Sequence, residues 1–197
     1  MNVIEHYDKL IEEDNDPVYD PEPLKEYMNK WDGQAFIEAM QIDKTKNVLE
    51  IGVGTGRLAL KTVPLCKKFY GIDISPKTID RAKCNLSKFQ NVELICADFM
   101  TYNFINSFDV VYSSLTFMHI KEKQKCIDKI YSLLNKKGRF ILSVEKSQNK
   151  YIEYADRKIE IYPDKPTDIE AYIANSGLIL LKCIETEFAY IFVSLKA

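Results

Sequence analysis

Three glycines at alternate positions form the part of this sequence best suited to binding a ligand. Gly52, Gly54 and Gly56 follow directly on a short apolar run that contains one acid, Glu50. Glycine reaches left-handed backbone conformations and lets the chain approach a ligand where any Cβ would collide. Helical spacing begins after the turn, so residues 48–60 predict a strand, a cofactor-binding turn and a helix.

The spacing of these glycines separates two kinds of cofactor. The dinucleotide fingerprint is G-x-G-x-x-G, and it brings a pyrophosphate onto the N-terminus of the following helix. Here the spacing is G-x-G-x-G, and Arg57 occupies the position at which that fingerprint has its last glycine. The spacing therefore argues against NAD or FAD and favours a ligand without phosphates that carries an adenosine and an amino-acid tail.

Two further acids stand near the ends of later apolar runs. Asp73 ends the run that follows the glycine turn, and Asp98 follows the next run along the chain. A single aspartate after a strand is most often a turn former. Acids after three consecutive strands carry more weight, because doubly wound sheets bind ligands at the carboxyl ends of their strands. We therefore expect Glu50, Asp73 and Asp98 to lie at one ligand-binding edge.

His119 is the candidate acid-base residue. The ordinary pKa of histidine lies near neutral pH, which suits a general base. A histidine at the start of a helix can equally satisfy a backbone group, and both interpretations remain open. The five cysteines contain no C-x-x-C pair, which argues against a zinc site or a disulfide framework. We interpret them as small buried hydrophobes and expect no metal.

Short apolar strands alternate with amphipathic segments, a pattern typical of a parallel sheet covered on both faces. Four βα units and a fifth strand are predicted, with strands at 47–51, 69–73, 92–96, 108–113 and 139–144. Helices are predicted from Thr55 to about Pro64, from the N-cap Ser75, and from Lys121 to Asn135 with its lysines on a solvated face.

The C-terminal part predicts a different arrangement. Thr167 and Glu170 match a capping box, and Gly177 is the expected helix stop. Two apolar strands at 178–184 and 188–195 follow, separated by three residues. A connection this short permits only an antiparallel hairpin. The fold class expected is therefore α/β, with a mostly parallel sheet that ends in one antiparallel hairpin.

Length and charge narrow the remaining possibilities. The 197 residues suit one domain, and the net charge is −2. Residues 1–26 carry nine acids against two lysines, and the mild basic excess elsewhere forms no concentrated stripe, so a nucleic-acid partner is not expected. No apolar run approaches the about 18 to 20 residues that cross a bilayer, so no membrane association is expected. The N-terminus lacks a secretory pattern, and the cytoplasm is the expected location.

On its glycine turn, its acids after successive strands and its terminal hairpin, the chain resembles the class I S-adenosylmethionine-dependent methyltransferases over residues 40–197. The resemblance implies a doubly wound, seven-stranded sheet and S-adenosyl-L-methionine as cofactor. It implies that Asp73 accepts the ribose hydroxyls, that Asp98 and Phe99 contact the adenine, and that the Tyr7–Asp8 pair closes over the cofactor. The cofactor-binding residues so implied are Glu50, Gly52, Gly54, Gly56, Asp73, Ile74, Asp98, Phe99, Ser113, Leu115 and Tyr7.

The predicted function is methyl transfer from S-adenosylmethionine to a small-molecule acceptor, with His119 as the candidate catalytic base. Residues 1–45 would form a helical cap, 46–145 the cofactor-binding core, and 146–197 a substrate-side segment and the hairpin of a single domain. The Asn/Asp-Pro-Pro-Tyr/Phe motif of nucleic-acid and glutamine methyltransferases is absent after the fourth strand. Two alternatives remain, a cofactor-binding protein without transferase activity and an NAD-dependent oxidoreductase. The acceptor and the oligomeric state are left unassigned.

Overall fold

The computed structural model describes all residues from 1 to 197 and contains one seven-stranded sheet and one two-stranded sheet. The helices are α1 (Val3–Glu12), α2 (Glu22–Met28), α3 (Gly33–Met40), α4 (Ala59–Thr62), α5 (Pro76–Asn85), α6 (Lys123–Leu133) and α7 (Pro166–Asn175). The strands are β1 (Asn47–Ile51), β2 (Lys68–Asp73), β3 (Val92–Cys96), β4 (Phe108–Ser114), β5 (Leu134–Glu145), β6 (Tyr151–Tyr154), β7 (Arg157–Glu160), β8 (Leu178–Glu185) and β9 (Ala189–Lys196).

The seven-stranded sheet has the order β3-β2-β1-β4-β5-β9-β8. Neighbouring strands from β3 to β5 run parallel, whereas β9 is antiparallel to both β5 and β8. The α/β fold class with its antiparallel C-terminal hairpin is therefore confirmed. The chain order reverses between β1 and β4, and in such folds a ligand crevice opens at the carboxyl ends of the strands on either side of the reversal.

Apolar side chains cover both faces of the sheet. Successive residues of β1 point to opposite faces, so Leu49 belongs to one buried cluster and Val48 to the other. Ile127 of α6 and Ile169 of α7 pack into the first cluster, and Phe36 of α3 packs into the second. This double cover holds the central strands in place, so that their carboxyl ends form a fixed edge. No helix is both long and apolar enough to cross a membrane.

The helical predictions were right for α5 and α6 and wrong in three places. The segment after the glycine turn is helical from Ala59 and not from Thr55, because Gly54 and Gly56 still have positive φ. Its end before Pro64, where a 3-10 turn follows, is as predicted, since proline has no N–H to continue an α-helix. No helix joins β3 to β4, where residues 97–107 form turns. The capping box is absent, since α7 begins at Pro166 and its N-cap, Lys165, makes no side-chain cap hydrogen bond.

Gly177 follows α7 with φ +87°, in the left-handed region that glycine favours, so the predicted helix stop is confirmed. The β6–β7 hairpin was not predicted. The interpretation of the cysteines as buried holds for Cys66 and Cys126 and is wrong for the other three, which are exposed.

Candidate active site

A cavity of about 680 Å³ opens at the carboxyl ends of β1, β2 and β4. We call its floor the residues 50–54, 72–74 and 114–116, and its roof the helix α1. The loop after β3 closes one end of the cavity, and the segment after β4 closes another. Ten of the predicted site residues line it: Tyr7, Glu50, Gly52, Gly54, Asp73, Ile74, Asp98, Phe99, Leu115 and His119.

Two predicted residues lie outside this lining. Ser113 is buried, and its hydroxyl donates a hydrogen bond to the carbonyl of Ile51 at 2.9 Å, which joins β4 to β1. A Cβ on Gly56 would lie 3.3 Å from the side chain of Leu86, so this glycine serves close packing behind the turn. Both residues support the floor from below.

Gly52 and Gly54 adopt left-handed conformations, with φ of +75° and +56°. A Cβ on Gly52 would stand 2.0 Å from the hydroxyl oxygen of Thr116, so the missing side chain lets the segment after β4 approach the turn. A Cβ on Gly54 would meet no atom within 4 Å. Gly54 therefore presents bare backbone to the cavity, as a turn that cradles a ligand requires.

The carboxylate of Asp73 joins the ends of β1 and β2. One oxygen accepts a hydrogen bond from the N–H of Gly54, and the other accepts one from the N–H of Ser75, each at 3.0 Å. Burial raises the pKa of Asp73, and these backbone hydrogen bonds oppose the rise. Each oxygen keeps a further lone pair, so the group can accept two hydroxyl donors from a ligand.

Glu50 lies deeper in the floor and is 3% exposed. Its carboxyl group accepts a hydrogen bond from the Tyr112 hydroxyl at 2.8 Å, and Thr62 lies 2.9 Å behind that hydroxyl. Burial raises the pKa of Glu50 to about 8. A cation bound beside Glu50 would lower that pKa and favour the carboxylate form. The sequence did not indicate this role of Tyr112, because the residue fits the pattern of a buried apolar strand.

Tyr7 and His119 meet across the cavity from roof to wall. The Tyr7 hydroxyl lies 2.9 Å from Nε2 of His119. Burial raises the pKa of Tyr7 and lowers that of His119 to about 4, so both groups are uncharged at neutral pH. The other ring nitrogen of His119, Nδ1, is buried and has no hydrogen-bond partner.

Asp8 has a different place from Tyr7, although the two were predicted to act as a pair. Its carboxylate accepts hydrogen bonds from the Ser75 hydroxyl at 2.7 Å and from the N–H of Lys77 at 3.2 Å. Asp8 therefore attaches the roof to the start of α5, and it does not line the cavity. Val3, Leu10 and Ile11 provide the apolar part of the roof.

A buried acid that sequence reasoning missed organises the rim. Asp32, 1% exposed, accepts hydrogen bonds from both terminal nitrogens of Arg57 and from the Ser114 hydroxyl at 2.9 Å. From the sequence, Arg57 indicated only that the turn does not match the dinucleotide fingerprint. Its guanidinium in fact joins the glycine turn to the N-terminal segment, and nothing in the spacing of Asp32 indicated this.

The prediction of a solvated lysine face over 121–135 holds for the exposed Lys121 and Lys125, and is wrong for the buried Lys123 and the half-buried Lys129. Lys123 is buried, pairs with Asp164 at 2.6 Å and donates a hydrogen bond to the carbonyl of Phe117 at 2.8 Å. Lys129 donates hydrogen bonds to two carbonyls of the loop after β3. Both lysines thus donate hydrogen bonds to carbonyls of segments that border the cavity.

Comparison with known proteins places this geometry in context. A family model described as a methyltransferase domain matches residues 42–178. An uncharacterized methyltransferase from Anoxybacillus flavithermus is 33% identical over 123 residues, which cover 60% of this chain. The match spans only 57% of the length of that relative.

Two solved structures share the fold. An S-adenosylmethionine-dependent methyltransferase from Clostridium acetobutylicum is 17% identical with a TM-score of 0.70, and the match covers 98% of this chain and 97% of that one. Magnesium protoporphyrin IX methyltransferase from Synechocystis PCC 6803, with bound S-adenosylmethionine, is 19% identical with a TM-score of 0.65, covering 82% of this chain and 74% of that one. At these identities the likeness shows the fold.

Proposed function

The chain belongs to the class I S-adenosylmethionine-dependent methyltransferases, and we propose that it transfers the methyl group of that cofactor to a small-molecule acceptor. The observation that carries the proposal is the cavity itself, which brings Glu50, Asp73 and Asp98 together with the Tyr7–His119 pair. Ligand-binding acids and a candidate base thus border one space.

The floor has the hydrogen-bonding groups that the cofactor needs. The two Asp73 oxygens, each with a free lone pair, suit the ribose hydroxyls, and the bare backbone of Gly54 leaves room beside them. Asp98 and Phe99 would contact the adenine from the loop after β3. Glu50 would face the positively charged end of the cofactor, which lowers its pKa from about 8. When bound, the cofactor supplies an electrophilic methyl group on a sulfonium sulfur.

The size of the cavity supports a small acceptor. Its volume of about 680 Å³ lies within the range of small-molecule sites, roughly 300–1,000 Å³. The roof covers it with Val3, Tyr7 and Leu10, so an acceptor must fit beneath α1. The solved relative from Synechocystis is named for a small-molecule substrate, magnesium protoporphyrin IX, which agrees with this assignment.

His119 would contact the acceptor. Its ring is uncharged at neutral pH, and Nδ1 has no partner within the protein. The Tyr7 hydroxyl would accept a hydrogen bond from Nε2–H, which fixes the orientation of the ring and leaves the lone pair of Nδ1 for the acceptor. Holding the acceptor in line with the methyl group contributes about 7 to 11 kcal/mol, so a weak base that orients a hydroxyl suffices.

We assign the parts of the domain accordingly. Residues 1–45 would close over the site as a helical cap, and residues 46–145 would hold the cofactor. Residues 146–197 would supply the acceptor side and the terminal hairpin. Tyr162 connects this last part to the site, because its N–H donates a hydrogen bond to the carbonyl of Met118 at 2.7 Å, beside His119.

A labelled methyl-transfer screen tests the proposal. The protein is incubated with methyl-labelled S-adenosylmethionine and a cell extract separated into small molecules, RNA and protein. We expect label in the small-molecule fraction, and at a cofactor concentration below its dissociation constant we expect Asp73→Ala to reduce the label by about 10- to 100-fold. Label in RNA or protein would overturn the acceptor class. Binding of NAD without binding of S-adenosylmethionine or S-adenosylhomocysteine would overturn the methyltransferase assignment.

A further inference from the structure

Lys129 of α6 reaches the loop that follows β3. Its ammonium group donates hydrogen bonds to the carbonyls of Met100 at 3.1 Å and Tyr102 at 2.6 Å. The same nitrogen lies 5.2 Å from the centre of the Phe99 ring, within the range of a cation–π interaction. One side chain thus contacts three of the four residues from Phe99 to Tyr102.

This loop needs such a partner because residues 97–107 contain no helix. Asp98 satisfies the N–H groups at its start: the Asp98 carboxylate accepts from Met100 at 2.8 Å, and its carbonyl accepts from Tyr102 at 3.0 Å. The carbonyl groups of Met100 and Tyr102 lie outside any strand or helix, so they need another hydrogen-bond donor. Lys129 supplies those donors, and the loop is held by one acid and one base.

The two charges also act on each other. Burial lowers the pKa of Lys129, and the nearby Asp98 carboxylate opposes that effect. The ammonium lies against the Phe99 ring and binds the carbonyls of Met100 and Tyr102, the two residues whose N–H groups Asp98 accepts, so it restricts the loop from which the Asp98 side chain extends. The helix α6 itself is anchored by buried Ile127 and Ile130, so it is a rigid support.

We propose that Lys129 is a positioning residue that sets how the protein recognises the base of its cofactor. The inference rests on the proposed function, which assigns Asp98 and Phe99 to the adenine. A carboxylate accepts a hydrogen bond from the exocyclic amino group of adenine and repels the carbonyl oxygen of hypoxanthine. Discrimination between the two bases therefore depends on where the loop that Lys129 holds places Asp98.

The test compares two ligands that differ only at one edge of the base: S-adenosylhomocysteine has an amino group there, and S-inosylhomocysteine has a carbonyl oxygen beside a protonated N1. Their dissociation constants are measured by calorimetry for the wild type and for Lys129→Met, Lys129→Gln and Lys129→Arg. Lys125→Met is the matched control, since Lys125 lies on the same helix, is exposed and pairs only with Glu122. Thermal unfolding of each variant shows that it is folded.

We expect the wild type and Lys125→Met to prefer S-adenosylhomocysteine by about tenfold or more, the effect of one hydrogen bond to a charged group. Lys129→Met and Lys129→Gln should lose most of this preference, and Lys129→Arg should retain part of it. If Lys129 had a purely structural role, its substitution would weaken the binding of both ligands equally and leave the ratio of their dissociation constants unchanged. If Lys129→Met does not fold, the ratio for Lys129→Gln decides.

Each outcome separates the inference from the proposed function. A Lys129 variant that keeps the wild-type ratio overturns the positioning role while leaving methyl transfer intact. A wild type that binds both ligands equally shows that Asp98 does not recognise the amino group, which also overturns the role. A wild type that binds neither ligand overturns the proposed function itself.

Discussion

The floor and the roof of the cavity are built by different means. The floor consists of the carboxyl ends of paired strands. The parallel pairing of β1 with β2 extends up to Ile51 and Ile72. The roof is attached by side chains alone, through Asp8 to the start of α5, Glu13 to Arg157 at 2.6 Å, and Tyr7 to His119. A rigid surface for the cofactor is thus combined with a roof whose attachments are individually weak.

The largest expected effect on stability comes from the ion pair that joins the start of α6 to the segment after β5. Lys123 and Asp164 form an ion pair whose side chains are 9% and 2% exposed. Lys123→Met should lower the free energy of unfolding by about 3 to 5 kcal/mol at neutral pH, because Asp164 would remain buried without a partner. Urea denaturation measures the change, with Lys125→Met as the control.

The double variant Lys123→Met/Asp164→Leu sharpens this test. Replacing both charges by apolar groups should recover much of the lost stability, because neither charge is then left buried alone. If the free energy of unfolding of Lys123→Met lies within about 1 kcal/mol of the wild-type value, the Lys123–Asp164 pair contributes no more than an exposed ion pair. It would then not be a strong attachment.

A pH effect on stability belongs to the floor. Glu50 has a pKa of about 8 in the folded protein against an ordinary value of 4.5, so the folded state holds this proton more tightly than the unfolded state. The resulting stability is fully present below pH 4.5 and is lost as the pH rises towards 8. Glu50→Gln should therefore gain stability relative to the wild type, by up to about 2 kcal/mol between pH 6.5 and 8.

The range from pH 6.5 to 8 also distinguishes the effect of Glu50 on stability from that of His119. The pKa of His119 falls from 6.5 to about 4, which makes stability rise with pH only below 6.5. Urea denaturation of the ligand-free protein above pH 6.5 thus reports on Glu50. Glu93→Gln, a substitution of an exposed glutamate on β3, is the control. Parallel curves for Glu50→Gln and the wild type would contradict the raised pKa.

A smaller effect is expected at the roof. As the candidate base, His119 carries its proton on Nε2 and donates it in a hydrogen bond to the Tyr7 hydroxyl. Tyr7→Phe removes that acceptor, which favours the charged ring, and should lower the pKa of His119 below about 4. The hydrogen bond contributes about 0.5 to 1.5 kcal/mol, which corresponds to about 0.4 to 1.1 pKa units. Titration by NMR measures it directly, because the chain has only two histidines. Tyr19→Phe, at an exposed position, is the control.

An unchanged His119 pKa in Tyr7→Phe would show that the roof does not act on the candidate base. The affinity for S-adenosylhomocysteine should change little in the same variant, because the floor provides the polar contacts to the cofactor. A large loss of affinity would instead assign Tyr7 to cofactor binding and remove the division between floor and roof.

The floor was more predictable from the sequence than the roof, for a physical reason. The strands β1 and β3 were predicted with the bounds that they have, and Glu50, Gly54, Asp73 and Asp98 all line the cavity. These residues are positioned by local spacing and by the period of a strand, which a sequence displays directly.

The remaining attachments depend on pairs far apart in the chain. Asp32 with Arg57, Lys123 with Asp164 and Glu13 with Arg157 are joined only by folding, and each residue alone resembles an ordinary surface charge. Lys129 was expected on a solvated face because it falls on a predicted amphipathic helix, whose polar side normally faces water. No periodicity marks a lysine whose partners are carbonyl groups.

The most direct measurement is calorimetric titration of S-adenosylhomocysteine into the wild type, Asp73→Ala and the control Asp80→Ala, an exposed acid on α5. Losing a hydrogen-bonding charged group costs about 1.5 to 3 kcal/mol, so Asp73→Ala should weaken binding by about 10- to 100-fold while Asp80→Ala matches the wild type. Equal affinity in a folded Asp73→Ala variant would contradict the assignment of the floor to the cofactor.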